Sequence, residues 1–420
     1  MNNQSAAASQ ALSAEVRNPS IVTEHGTGSG GIRNATIVTE HRTVPGGIVL
    51  WQDGRITYAG PHEGVPAGLR QAAGQALDGS GGLVIPGFID MHVHGGCGHD
   101  FMDADPEGYK AIAAFHARHG TTGLLATTVT AAPEALLRVL EAAEARQRAD
   151  RLAQTPTGAE LYGVHLEGPF ISPKWPGAQN PAFIAPPTAA WLEDWSQRFP
   201  GLIRMMTLAP EQPGALDVIA WLHANGIIAA AGHTDATYAD IQTAAGRGLS
   251  HAVHTFNAMR GLHHREPGTV GAVLTDPRLC AEVIADGLHV SPPCIQLLTR
   301  LKTQHNLVLI TDAISAAGLG DGDYSLGGLD VVVKDGAARL KKGGALAGST
   351  LTMIEAFRFM VREIGLPAQD ASALASGNPA RRLGLYDSVG SVTEGKLADL
   401  LLLDAGLNLH QVWKRGQKLL

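Results

Sequence analysis

The feature that most constrains this chain is a series of short apolar runs, each ending in polar residues or glycine, separated by longer stretches of helical spacing. The runs are LVIPGFIDMHVHG from Leu83, TTGLLATTVT from Thr121, LYGVHLEGPF from Leu161 and IRMMTLAPE from Ile203. They continue with GIIAAAGHTD from Gly226, HAVHTFNAM from His251, LCAEVIADGLHV from Leu279 and NLVLITDAIS from Asn306. Most spacers carry a helical stripe; between Ala132 and Arg151, for example, Leu136, Leu137, Val139 and Leu140 fall on one face. Eight strand–helix units over about 250 residues are what a (β/α)8 barrel requires, so the expected class is α/β, a TIM-like barrel over 83–386. The sixth connection, Arg260 to Asp276, contains glycine and proline and reads as a functional loop instead of a helix.

The flanks read differently. Residues 1–34 are expected to be a disordered extension, polar and alanine-rich at its start. IVTEHGTGSGGI from Ile21 recurs as IVTEHRTVPGGI from Ile37, and two copies are too few for a solenoid. The second copy leads into a hairpin signalled by Asp53-Gly54 and is read as the folded one. Tyr324 to Leu346 reads as strands and turns, Thr352 to Ile364 as a helix, and the tail from Gly390 as β-like with a turn at Gly395. Residues 35–82 and 387–420 are expected to pair into a small β-sandwich, since chain termini often lie close together.

Composition excludes several classes. Lys+Arg 32 against Asp+Glu 39 gives −7 with no long basic run, which argues against a nucleic-acid partner. No uncharged apolar run reaches membrane-spanning length, and the N-terminus lacks a secretory pattern, so a cytoplasmic protein with no membrane partner is expected. Cys97, Cys280 and Cys294 are widely spaced, which fits a reducing compartment and forms no zinc-finger pattern.

Polar residues cluster where the strands end, the face on which barrel enzymes place their active sites. The first strand ends in His92-Val93-His94, the third in His165-Leu166-Glu167, the fifth in His233, the sixth in His254 and the eighth in Asp312. His92 and His94 stand two apart and therefore share a strand face, expected to be the one toward the barrel interior. Imidazoles and carboxylates converging on one mouth suit a divalent metal, zinc or ferrous iron. Any one of these residues alone also reads as a hydrogen-bonded core histidine or a helix cap. His99, His263 and His264 are read as loop residues, His251 as lying on the opposite pleat to His254, and Cys97 as packing.

PGFIDMHVHG, HLEGPF, GHTDATY, HTFNAM, REPG, ADGLHV, TDAISAAGL, LAGSTLTM and GNPARRLG, in that order, resemble the N-acetylglucosamine-6-phosphate deacetylases of the amidohydrolase superfamily. The resemblance runs from about Gly47 to the C-terminus. It implies Glu167, His233 and His254 as principal metal ligands, and His92 and His94 as a pair that helps hold a second ion in some members, so one or two ions per chain. Asp312 matches the catalytic acid/base, and His289 a residue that contacts the substrate near its carbonyl. Asn257 and Ala258 match a phosphate site, and Leu346, Ala347 and Gly348 a loop closing over the sugar. Arg265 matches an arginine that reaches the phosphate of the neighbouring subunit, which implies a homodimer. The sugar contacts also involve Ala178 and Gln179, although the family usually has histidine at the latter position. On its own, Arg265-Glu266 also reads as a local ion pair.

The expected reaction is hydrolysis of N-acetyl-D-glucosamine 6-phosphate to D-glucosamine 6-phosphate and acetate. An amide is a poor electrophile with a poor leaving group, so a metal-activated water and a proton-shuttling carboxylate suit the chemistry. Asp312 is the one aspartate in the strand-end set, and a strand-end lysine, as in hydantoinase-like relatives, is absent. Two alternatives remain at this level. One is the galactosamine epimer as substrate, which would use the same ligands. The other is a non-catalytic barrel that binds or scaffolds, which should have lost ligands or Asp312.

Overall fold

The computed structural model describes residues 28–153, 155–302 and 305–419. Eight parallel strands form the barrel: β1 Phe88–Val93, β2 Thr121–Thr127, β3 Glu160–Glu167, β4 Ile203–Leu208, β5 Ile228–Ala231, β6 Leu249–Ala252, β7 Cys280–Ile284 and β8 Leu307–Ile310. Each pairs with its neighbour in chain order. The ends of the sheet meet where Asp312 N donates to His92 O at 2.9 Å. Helices cover the outside because local signals start them where the stripes begin. Asp105 caps Pro106–Arg118 with proline in the first turn, and Thr237 and Asp240 form a capping box on Tyr238–Gly246.

Two expectations are corrected in the barrel. The run from Leu83 splits: Leu83–Pro86 pairs with Thr36-Ile37 and with Leu400–Leu403, so the barrel begins at Phe88. Gly87 makes the crossing between them, and a Cβ there would stand 2.2 Å from Thr122 Oγ1. Both pieces are largely buried, which is why they read as one strand. The connection after β6 is also not all loop, for Gly268–Thr275 is a helix with every residue but the last buried. Its glycine and proline sit at the start of the helix, where they do not interrupt it.

The termini combine as expected, but as one rolled sheet. Its order is Gln417–Lys418, Leu409–Lys414, Leu400–Leu403, Leu83–Pro86, Gly30–Val38, Thr43–Gln52 and Arg55–Gly60, with Leu77–Asp78 beside Gly30–Val38. The roll closes where Ala398 N donates to Gly54 O and Ile56 N to Lys396 O, each at 2.8 Å. Ile37, Val49, Trp51, Ile56, Val84, Leu400 and Trp413 fill it in the manner of a sandwich core. The hairpin turn has left-handed backbone at Asp53 and Gly54 (φ 50° and 77°), the primed geometry that the dipeptide favours. The first strand of this sheet starts at Gly30, so residues 30–34 belong to the sheet and not to the extension. Residues 1–27, including most of the first IVTEH copy, lie outside the described residues.

A buried ion cluster ties the two parts together. Lys414 Nζ, on the rolled sheet, lies 2.9 Å from Glu160 Oε2 at the start of β3 and 2.7 Å from Asp399 Oδ2, while Arg415 Nη2 lies 2.7 Å from Glu160 Oε1. A third sheet, Gly322–Leu326, Leu329–Lys334 and Ala337–Leu340, leaves the chain after β8. Its Leu326, Val331 and Val333 pack with Val129, Ile314 and Ala347 beside the strand ends.

Candidate active site

Strand pairing places the first ligands. Ile89 and Met91 pack inside the barrel, and simple alternation would then point His92 outward. A register irregularity between Asp90 and Val93 re-aims the strand, so Val93 joins the outer core and His92 and His94 face inward together. On β3, Val164 and Leu166 pack outward, which leaves His165 and Glu167 for the interior. His233, His254 and Asp312 follow the ends of β5, β6 and β8. All three have left-handed backbone, with φ of 47°, 27° and 52°. Such strain persists only where the surroundings hold it, and it concentrates at functional sites.

These side chains meet around Glu167. Its Oε1 lies 3.3 Å from His233 Nε2, 3.1 Å from His254 Nε2 and 3.2 Å from His92 Nε2. Its Oε2 is 3.5 Å from His94 Nε2 and accepts from Gln179 Nε2 at 2.5 Å. Asp312 Oδ1 stands 3.1 Å from His94 Nε2 and 3.6 Å from His92 Nε2. Potential ligand atoms of His92, Glu167 and His254 lie within 4.8 Å of one another, as do those of His92, His94 and Asp312. His233 Nδ1 and His254 Nδ1 each lie 3.2 Å from a carbonyl, of Trp175 and Asn257 respectively, which leaves their Nε2 atoms for the centre.

The electrostatics fit a cation. Glu167, Asp312 and Glu282 are buried carboxylates whose ionisable partners in the cluster are histidines. Burial would raise the Glu167 and Asp312 carboxyls, yet the imidazoles around them hold both below the ordinary range. In turn, the carboxylates overcome the burial of His92 and hold it well above the usual imidazole range. His92 Nε2 is buried among carboxylate oxygens without hydrogen-bond geometry to any of them. A buried nitrogen so placed is suited to a metal ion, and the nitrogen and oxygen donor set suits zinc or iron.

The remaining expected residues differ in what they contact. Gly348, left-handed at φ 56°, lies against the end of β8, where a Cβ would come within 2.8 Å of Asp312 O. Ser349 N donates to the same oxygen at 2.7 Å, so the 346–348 segment is fastened beside Asp312. His289 Nδ1 is 2.6 Å from Asp286 Oδ2. Asn257 Nδ2 donates to His254 O at 3.3 Å, and Ala258 is left-handed. Gln179, buried, spends its amide on Glu167 and on Thr130 N, which donates to it at 2.6 Å. Ala178 packs against the third sheet's core. Arg265 is exposed, with Nη1 2.7 Å from His264 Nε2, while Glu266 accepts from Tyr238 N and Gly268 N in place of a pair with Arg265.

Two readings are corrected here. Cys97 is exposed with left-handed backbone and is not a packing residue. His251 does not stand apart from the site, for its Nε2 is 3.0 Å from Glu282 Oε1. Alternation misjudged it because β6 ends at Ala252, and the pleat no longer governs His254. Glu282 stands within β7 and so outside the strand-end set, although an acidic residue inside an apolar strand is a signal that it must find partners. Lys174, Trp175 and Arg260 gather on Asp235.

An eight-stranded parallel barrel with a histidine and carboxylate cluster at its C-terminal mouth defines a hydrolase of the metal-dependent barrel class. The model of the amidohydrolase family matches residues 83–419. An N-acetylglucosamine-6-phosphate deacetylase of Bacillus subtilis (strain 168) is 40% identical over 334 residues, 80% of this chain and 84% of that one. An N-acetylgalactosamine-6-phosphate deacetylase of Escherichia coli O157:H7 is 39% identical over 355 residues, 84% of this chain and 92% of that one. In three dimensions, a mutant N-acetyl-D-glucosamine-6-phosphate deacetylase from Mycobacterium smegmatis, solved with N-acetyl-D-glucosamine-6-phosphate, superposes with a TM-score of 0.86 at 36% identity, covering 93% of this chain and 99% of that one. This chain belongs to the N-acetylglucosamine-6-phosphate deacetylase family of the amidohydrolases.

Proposed function

We propose that this protein hydrolyses N-acetyl-D-glucosamine 6-phosphate to D-glucosamine 6-phosphate and acetate. The observation that carries the reading is the convergence of His92, His94, Glu167, His233, His254 and Asp312 on one buried centre in a chain 40% identical to such a deacetylase. Glu167, His233 and His254 would hold one divalent ion, with His92, His94 and Asp312 available to a second; zinc suits the donors best. When bound, the metal supplies Lewis acidity, lowering the pKa of a water and polarising the amide carbonyl.

The chain's own residues do the rest. Asp312, kept ionised by His92 and His94, accepts a proton from the attacking water and returns it to the departing nitrogen. Asp286 fixes His289 through Nδ1 and leaves Nε2 for the substrate near its carbonyl. Asn257 and Ala258 receive the phosphate, with Leu346, Ala347 and Gly348 closing over the sugar and Ala178 and Gln179 beside it. The exposed placement of Arg265 supports donation to the neighbouring subunit of a homodimer, where its planar fork would take the phosphate. A cytoplasmic location follows from a phosphorylated substrate; among the described residues, no helix is long and apolar enough to cross a membrane.

The test is acetate release from N-acetylglucosamine 6-phosphate and its galactosamine epimer, with metal analysis of the same sample. Release from the first at the higher kcat/KM supports the reading. Preference for the epimer, the substrate named for the Escherichia coli relative, overturns it.

A further inference from the structure

We propose that Glu282 is a positioning residue that fixes the tautomer of His92 and so presents His92 Nε2 as a metal ligand. The inference rests on the metal-dependent reading above. Glu282 stands within β7 between Cys280 and Ile284, which both pack in the barrel interior, and it is fully buried. Its Oε2 lies 2.9 Å from His92 Nδ1 and also accepts from His254 N at 3.2 Å. Its Oε1 lies 3.0 Å from His251 Nε2. A carboxylate can only accept, so the proton of a neutral His92 must sit on Nδ1. In that neutral ring, the form that can ligate a metal, Nε2 is bare; it lies 3.2 Å from Glu167 Oε1 and 3.6 Å from Asp312 Oδ1 without hydrogen-bond geometry to either.

The ring is also held from its face. His165 packs edge-on against it with ring centroids 4.6 Å apart, and His165 Nε2 is itself 2.7 Å from Thr207 Oγ1. The shortest contact Glu282 makes in the centre is therefore the one to the His92 ring, whose face His165 covers. Partners of this kind orient the ligand and raise its basicity, and losing one costs about 10–100-fold in metal affinity.

The test titrates metal-free protein with Co2+ and measures the number of ions and the affinity of each. Glu282→Leu removes the acceptor, and Glu282→Asp retracts it by one methylene while keeping the charge. Either should weaken one of the two ions by about 10–100-fold and spare the other. Glu282→Gln, whose carbonyl oxygen can still accept from Nδ1–H, should restore most of the loss. In a His92→Asn background, Glu282→Leu should have no further effect on the ions. If the leucine variant does not fold, the aspartate variant is read alone. Parent-like binding of both ions by the variants overturns the proposal, as does an equal loss in the His92→Asn background or a parent that binds a single ion. Acetate release separates the two ideas: a parent that binds two ions but releases no acetate refutes the deacetylase reading and not the role of Glu282.

Discussion

Replacing Asp312 by asparagine tests the mechanism at its narrowest point. Asparagine keeps the shape and one acceptor oxygen but cannot take the proton, and general acid–base catalysis contributes about 10²–10⁴-fold. Local geometry argues for the upper half of that range. Asp312 is buried, and Glu167, the carboxylate that shares His92 and His94 with it, is already engaged by Gln179, His233 and His254. No free carboxylate in the cluster stands ready to replace it. A loss of about 10³–10⁴ in kcat is expected, which is about 4–5.5 kcal/mol at 1.36 kcal/mol per decade. The pH profile should change with it. The histidines hold the Asp312 carboxyl below its ordinary range, so its base form persists as pH falls, and the acid limb of kcat/KM assigned to it lies below pH 3.8. In the variant, that limb should vanish. The assay is steady-state acetate release over a pH series, with metal content measured on the same samples. Metal at the Glu167, His233 and His254 position should be retained. A variant with full metal and activity within tenfold of the parent would remove Asp312 from the mechanism.

Replacing His92 by glutamine together with His94 by asparagine should lower bound metal toward one ion per chain and leave partial activity; equal metal content in variant and parent would make the pair structural. Arg265→Ala should raise KM for the 6-phosphate steeply and barely affect the slow reaction of the unphosphorylated sugar. Mixed with Asp312→Asn chains, it should regain activity through one complete site per heterodimer, and subunit exchange without recovery would place the arginine in its own chain's site. Glu160→Gln leaves Lys414 and Arg415 buried with less compensation, and about 3–5 kcal/mol of stability should be lost in urea unfolding. Burial raises the Glu160 carboxyl, but Lys414 and Arg415 outweigh it and hold the pKa below 4.5. Its contribution is therefore present above pH 4.5 and lost as pH falls through the lower folded value, so the cost of Glu160→Gln should shrink in acid. A cost independent of pH would refute that cause.

How much of this was legible depends on whether a residue's partners are near in sequence or brought close by the sheet. The strand starts from Thr121 onward matched the observed ones closely because each run is apolar and short, and each end carries a polar residue where the barrel opens. His92 and His94 were legible as a pair, since two-residue spacing holds them on one face whatever happens upstream. Their inward direction, expected from the strand end they occupy, is reached through a register irregularity between Asp90 and Val93 that no local signal marks. The split at Gly87 was hidden for a similar reason: both halves of LVIPGFID are buried, one in each sheet, and burial looks the same from the sequence. Glu282 shows the limit most clearly. Alternation in CAEVI places Cys280, Glu282 and Ile284 on one face, and a buried carboxylate must find donors or a cation. The sequence therefore demands partners for Glu282 but cannot name them, because His92 stands 190 residues away and His251 31. Only closure of the barrel brings β1, β6 and β7 around a common centre, and that closure turns an isolated acidic residue into part of a metal site.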